Sequence, residues 1–181
     1  MAYIGKKITD PATGDTFEFT ATTASSGGQH VRVLQHLHPG GFLPVMHFHT
    51  LDEHFRVLEG ELTAKLGKDT FVLRAGEDIL LPRNRPHTHY NSGQSVLVME
   101  QTVSPALDAE SFLENFFGLL CDGKVKHGEP AFLQVIAWLR HLEARTYLAA
   151  LPQSLQDGLA RLLGPLAYWR GYRPVYPQYA G

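Results

Sequence analysis

Two periodicities divide the chain. Up to about residue 105, apolar and polar residues alternate in short runs, the period of two that puts successive side chains on opposite faces of a strand. Residues 3–9 and 16–24 read as the first strands: Thr16-Phe17-Glu18-Phe19-Thr20 alternates, and Pro11-Ala12-Thr13-Gly14-Asp15 is a turn former between them. In the next strand, residues 31–37, Val31, Val33 and Gln35 share one face and Arg32, Leu34 and His36 the other. Residues 44–49 and 53–58 follow, with Glu53, Phe55 and Val57 on one face of the second. A hairpin is predicted for 62–66 and 69–73 around Gly67-Lys68, then short strands at 79–82, 87–90 and 95–102. Many short strands punctuated by glycine and proline argue for an antiparallel sandwich or barrel.

After Pro105 the period lengthens to that of a helix. Phe112, Leu113, Phe116, Phe117 and Leu120 form one stripe, with Asp108 and Glu110 early and Gly123 just past the end. Residues 124–128 read as a loop. Pro130 opens a second predicted helix, through about Leu148, and Pro152 a third, which Gly164-Pro165 should kink or interrupt. The aromatic, basic, proline-containing end from Tyr168 to Tyr179 is expected to be extended. These helices are too apolar to stand free in water, so packing on the outside of the barrel or on a partner subunit is expected. The division is therefore a β-barrel over 1–105 and a helical extension over 106–181, the latter with no core of its own.

Composition narrows the picture. The 181 residues are 44% hydrophobic and 19% charged, values of a globular chain with a sizeable core. A net charge of -2 supplies no basic footprint for nucleic acid. Cys121 is the single cysteine, which fits a reducing, cytoplasmic setting. The first residues lack the apolar core of a signal peptide, and no apolar run reaches the ~18 residues of a membrane span, so no integral membrane segment is expected.

The chemistry concentrates in one stretch. His47 and His49 stand two apart, so on a strand both imidazoles point to one face. Glu53 follows shortly, and His87 comes after a second turn rich in glycine and proline, completing a possible set of three histidines and one carboxylate. Neutral imidazoles and a carboxylate suit a borderline divalent ion: Fe, Mn, Ni, Cu, Co or Zn. With such an ion the site carries a formal charge of roughly +1 and favours an anionic ligand. His89 shares a face with His87 and is a candidate pocket residue, although a rim position is the plainer expectation; His54 should face away. His36 and His38 are expected as solvated edge residues. Arg83 and Arg85 could draw an anion to the barrel mouth, with a solvated turn as the default, and Phe42, Phe55, Val57, Tyr90 and Met99 are candidate pocket walls. The tail's Trp, Tyr and Arg residues are expected to pack on the protein, a membrane interface being the weaker option.

The spacing of Gly41, His47, His49, Glu53 and Gly60 resembles the first motif of the cupin family at every position. Gly76, Pro82, Asn84, His87 and Asn91 resemble the second, except that Asn84 stands where the family usually has glycine. Asparagine is among the residues that best tolerate a left-handed backbone, so the turn can survive. The resemblance covers about residues 28–103. It implies a jelly-roll barrel with the site inside, metal ligands at His47, His49, Glu53 and His87, and a dimer. Cupins with this ligand set include dioxygenases acting on flavonols, thiols and enolised diketones, and oxalate-degrading enzymes. The resemblance thus implies a dioxygenase-type oxidoreductase acting on a small enolic, phenolic or carboxylate substrate, with Glu53 also able to take a substrate proton. A metal-dependent isomerase or decarboxylase, and a non-catalytic module that binds a small molecule, are the alternatives.

Overall fold

Regular in-out alternation marks two strands, Val31–Leu37 and Leu97–Ser104, and they lie side by side in the middle of the larger sheet. The protein is described by a computed structural model covering residues 2–40, 45–126 and 129–180. Its strands are β1 (Lys7–Thr9), β2 (Thr16–Ala21), β3 (Val31–Leu37), β4 (His47–His49), β5 (Asp52–Glu59), β6 (Glu61–Leu66), β7 (Asp69–Arg74), β8 (Asp78–Leu81), β9 (His87–Asn91) and β10 (Leu97–Ser104). Then come α1 (Ala109–Cys121), a two-residue ladder of β11 (Val125–Lys126) and β12 (Glu129–Pro130), α2 (Phe132–His141), β13 (Thr146–Leu148) and α3 (Gln153–Trp169). One antiparallel sheet runs β1-β2-β3-β10-β5-β8 and the other β13-β4-β9-β6-β7. This is the all-β barrel with a C-terminal helical extension that the periodicities predict.

Both sheets feed one core. Phe17, Val33, Phe55 and Met99 come from the larger sheet, Leu62 and Ala64 from the smaller, and Leu113 and Phe117 of α1 join them. The rings of Phe17 and Phe117 stack at 3.9 Å, fastening helix to barrel. Two turns show why particular residues stand where they do. Asn84 has φ 60°, so it takes the left-handed conformation expected of it. Gly60 has φ 80°, and a Cβ there would meet the Val96 carbonyl oxygen at 2.6 Å, so only glycine lets β5 turn into β6 this close to the chain before β10.

Several expectations need correction. The first strand is confined to Lys7–Thr9, because Gly5 at φ 88° belongs to a turn. Residues 125–126 of the expected loop pair as a strand with 129–130, so Pro130 belongs to that ladder and the second helix opens at Phe132 instead; His127 and Gly128 lie outside the described residues. The second helix does not run to Leu148. It ends at His141, Leu142 turns extended, and Thr146–Leu148 pair with β4 instead. A β-branched residue and an aromatic suit a strand, and the open edge of β4 offers unpaired backbone groups that such a segment satisfies. Gly164-Pro165 does not interrupt the third helix, which continues to Trp169. The missing N–H of Pro165 removes one hydrogen bond, while the bare Gly164 lets the Arg140 side chain of α2 approach, where a Cβ would meet its Cγ at 3.1 Å.

The tail after Trp169 is a series of turns, not an extended segment, and it straps α1 to α2. The Tyr176 backbone N–H donates to Asn115 Oδ1 of α1 at 2.5 Å, and its hydroxyl to Gln134 Oε1 of α2 at 2.7 Å. Trp138 Nε1 donates to the Pro174 carbonyl at 3.1 Å. The Tyr179 ring lies directly against Gly118, where any side chain would collide with it. A Gly118→Val substitution is therefore expected to lift the tail, costing about 2 kcal/mol and roughly 4–8 °C of thermal midpoint. Limited proteolysis should then release the last residues faster than in wild type; unchanged release and midpoint would refute the strap.

Candidate metal centre

β4 presents its two histidines to the barrel interior and turns Phe48 the other way, onto the Tyr147 ring at 5.2 Å. His87 opens β9 directly opposite His47 in the ladder. Glu53 lies at the second position of β5, 6% exposed, and His87 is fully buried. One ligand atom from each of His47, His49, Glu53 and His87 falls within 4.8 Å of all the others, an arrangement that can hold one metal ion.

The orientation of the rings is fixed from behind. His47 Nδ1 donates to the Val45 carbonyl, His49 Nδ1 to that of Leu51 and His87 Nδ1 to that of Arg85, each at 2.7 Å. A carbonyl only accepts, so each Nδ1 carries the proton and each Nε2 lone pair is left to face the centre. His49 Nε2 and His87 Nε2 lie 3.1 Å apart, and Glu53 oxygens lie 3.4 Å and 3.5 Å from them. Converging acceptors in an apolar interior need a cation between them. The Glu53 Oε2 atom is buried and without a hydrogen bond, which fits a carboxylate oxygen reserved for an ion or a proton.

The other carboxylate oxygen is held by a pair of glutamines. Gln35 Nε2 donates to Gln101 Oε1 at 2.5 Å, and Gln101 Nε2 donates to Glu53 Oε1 at 2.8 Å. Gln101 pairs with Phe55 and Val33, and Gln35 with Met99, so Glu53, Gln101 and Gln35 are successive diagonal neighbours on the inward face of β5, β10 and β3. The role of this relay was not foreseen, although its signal was present: a glutamine at an inward position of two otherwise apolar strand faces.

The electrostatics follow from burial and crowding. Burial opposes ionisation of Glu53, but the imidazoles of His49 and His87 outweigh it and hold the carboxyl well below its usual range. His49 is raised, because the Glu53 carboxylate overcomes the burial that would lower it. Burial pushes His47 down to about 3, with His87 reinforcing the effect. His89 is lowered to about 4, again chiefly by burial, and is therefore neutral at physiological pH.

The remaining candidates separate cleanly. His89 lines the cavity beside the centre, packs on the Phe55 ring at 4.3 Å and has a buried Nδ1 without a hydrogen bond, so the rim expectation is corrected in favour of the pocket. His54 faces outward and meets Asp78 at 2.8 Å. His36 and His38 are half-buried rather than solvated; His36 Nδ1 pairs with the Thr16 hydroxyl and His38 Nδ1 with Asp15. Arg83 forms an exposed ion pair with Asp52, and Arg85 is exposed in the same turn, so neither lines the cavity. Phe55, Val57 and Met99 are barrel core and Tyr90 is half-buried elsewhere, while Gly41 and Phe42 lie outside the described residues.

Apart from Val45, the apolar walls come from the extension instead. Phe112, Leu113, Phe116 and Phe117 of α1, Val135 and Trp138 of α2, and Thr146 and Leu148 of β13 line a cavity of about 110 Å³ that reaches His47, His49 and Glu53. The register explains β13: Thr146 lies opposite His49 and Leu148 opposite His47, and directly opposed residues share a face. The helices thus cover the cavity and do not merely pack outside the barrel.

Residues 33–103 match the family described as Cupin domain. Among similar solved structures is a conserved protein with a double-stranded β-helix domain from Klebsiella pneumoniae subsp. pneumoniae, at 22% identity and TM-score 0.43, with 59% of this chain and 83% of that one covered. KdgF from Halomonas sp. is 20% identical over 54% of this chain and 85% of its own, at TM-score 0.46. A protein titled putative sugar phosphate isomerase from Acidithiobacillus ferrooxidans is 21% identical over 49% of this chain, at TM-score 0.42, and the chain spans only 59% of its length. No curated protein matches the sequence significantly.

Removing the inner glutamine should loosen the carboxylate. Gln101→Leu is expected to keep the fold but weaken Co(II) binding roughly 10- to 100-fold, measured by competition with a metal indicator. Unchanged affinity would show that the glutamine pair does not orient Glu53 for a metal.

Proposed function

We propose, from the premise that residues 33–103 form a cupin domain, that this protein is a metal-dependent enzyme of dioxygenase type acting on a small enolic, phenolic or carboxylate substrate. The observation that carries the reading is the convergence of three Nε2 lone pairs and an unpartnered carboxylate oxygen at the wall of an apolar cavity. His47, His49, His87 and Glu53 are the residues that would hold the ion. When bound, a divalent transition metal supplies Lewis acidity and, for iron, nickel or copper, a partner for dioxygen chemistry.

The chain's own groups do the rest. Glu53, kept ionised by the neighbouring imidazoles and with Oε2 free of hydrogen bonds, would take a proton from an acidic O–H or C–H of the substrate. Gln101 keeps the carboxylate from turning away during that transfer. His89, neutral and with Nδ1 unengaged, can hydrogen-bond the bound substrate. Phe112, Phe116 and Trp138 exclude water from the deprotonated species.

One observation favours a second reading. His89 and Glu53 place two proton carriers at one cavity, which also suits a metal-dependent isomerisation or decarboxylation that needs no oxygen. Oxygen dependence separates the two. Protein prepared without a metal-affinity tag is expected to contain about one transition metal ion per chain, lost in His47→Ala, and the wild type to consume oxygen with a small enol or phenol. Turnover without oxygen uptake would select the isomerase or decarboxylase; tight ligand binding without product would select a non-catalytic binding module. Equal absence of metal from wild type and variant after reloading would end the metal reading.

A homodimer belongs to the same proposal. Leu155, Leu162, Leu166 and Trp169 are exposed along one stripe of α3, with Leu162 75% exposed, and burying them against a second copy would remove them from water. Sedimentation at micromolar concentration should give a two-chain mass; a monomer at that concentration would refute it. No helix of the described residues is long and apolar enough to cross a membrane.

A further inference from the structure

Among the described residues, one part of the cavity wall can meet negative charge. Its inner wall is the His47-His49-Glu53 corner, and among the described residues no lysine or arginine lines any part of it. Arg83, the nearest cation in sequence to His87 besides Arg85, is committed to Asp52 on the surface. The remaining polar lining consists of neutral groups such as Gln35, Gln101, His89 and Thr146. A ligand with two anionic groups would bring the second against apolar walls without a counter-charge, a cost that grows with its depth in the cavity. The size is equally restrictive: about 110 Å³ is somewhat below the ~150 Å³ of an apolar cavity known to accommodate benzene.

Resting on the metal reading above, we propose that the substrate is a compact, largely apolar monoanion, of about the size of a single ring or a short branched chain. Its one anionic oxygen lies at the His47-His49-His87-Glu53 centre, and its carbon skeleton lies against Phe112, Phe116, Val135, Trp138 and Leu148. All five of those wall residues belong to the C-terminal extension. The barrel therefore fixes the charge that is recognised, and the extension fixes the shape. Sugar phosphates, phosphate esters generally and small dicarboxylates are excluded by the same walls.

Binding tests this without turnover. Co(II)-loaded wild-type protein, with retained cobalt measured, is titrated with benzoate, malonate and glycerol 3-phosphate while the visible cobalt spectrum is followed. Malonate chelates free cobalt better than benzoate does, so a preference for benzoate has to come from the walls. The expected result is benzoate binding at least tenfold more tightly than either dianion. In Val135→Lys, with its fold checked by circular dichroism, the added cation should reduce that ratio at least fivefold with cobalt retained. Retained cobalt with a dianion binding as well as benzoate, or with no response to any probe, would overturn this inference and leave the metal reading standing. Failure to retain cobalt would overturn both. Should Val135→Lys not fold, the wild-type ratio alone decides; a folded variant with an unchanged ratio would overturn the assignment of the walls to the extension.

Discussion

Three imidazoles and a carboxylate that converge inside the barrel set the terms for everything around them. Each imidazole has spent its only N–H on a backbone carbonyl, so three lone pairs and a carboxylate converge on one point. Acceptors crowded this way repel unless a cation, proton or metal, sits among them. The raised pKa of His49 beside a strongly acidic Glu53 is that demand expressed in protons. A metal ion satisfying the same demand competes with protons for the same atoms, so its affinity falls as pH falls.

The same constraint explains why the extension is woven in. β4 is only three residues long and carries two of the four groups, and a strand that short with an open edge would hold its side chains loosely. β13 closes that edge, with Tyr147 stacked on Phe48 behind the histidine pair. Asp108, just ahead of α1, accepts hydrogen bonds from the backbone N–H groups of Glu143 and Ala144 at 2.8 Å and 2.7 Å, fixing where β13 begins. A change in the packing of the helices is thereby a change at His47 and His49. This is a physical reason for α1 and Trp138 of α2 to share the barrel's core, while α2 and α3 bury a smaller cluster of their own around Ile136, Ala137 and Ala167.

What could be read from the sequence, and what could not, divides along the range of the interactions. Strand periodicity, the left-handed turn at Asn84 and the convergence of His47, His49, Glu53 and His87 are local or set by pairing register, and they were legible. The end of the second helix was not. Residues 131–148 are apolar at helical spacing throughout, and what stops the helix at His141 is the vacant edge of a strand nearly 100 residues earlier in the chain. Nor could the walls be read, because Phe55, Val57 and Met99 are equally apolar but fill the barrel, whereas Phe112, Phe116 and Trp138 reach the cavity from outside it. Helical stripes look the same whether they cover a site or a plain surface.

A division of labour follows that neither part could achieve alone. A barrel bearing the four inward groups but open to water would screen its charge and accept any small anion. A helical cover without those groups would enclose an oily cavity with no handle to orient a ligand. Joined through β4 and β13, the two would, on the proposed reading, make recognition conjunctive: one charge at one corner and an apolar shape against the opposite wall. The corner is fixed by strand register and backbone carbonyls, while much of the wall is set by side chains on α1 and α2, so a wall substitution leaves the corner in place only where it keeps the helix packing that seats β13 on β4. Several wall side chains, Leu113, Phe117 and Trp138 among them, are also core residues that hold the helices to the barrel, so the shape of the cavity and the stability of the fold are tied to the same packing.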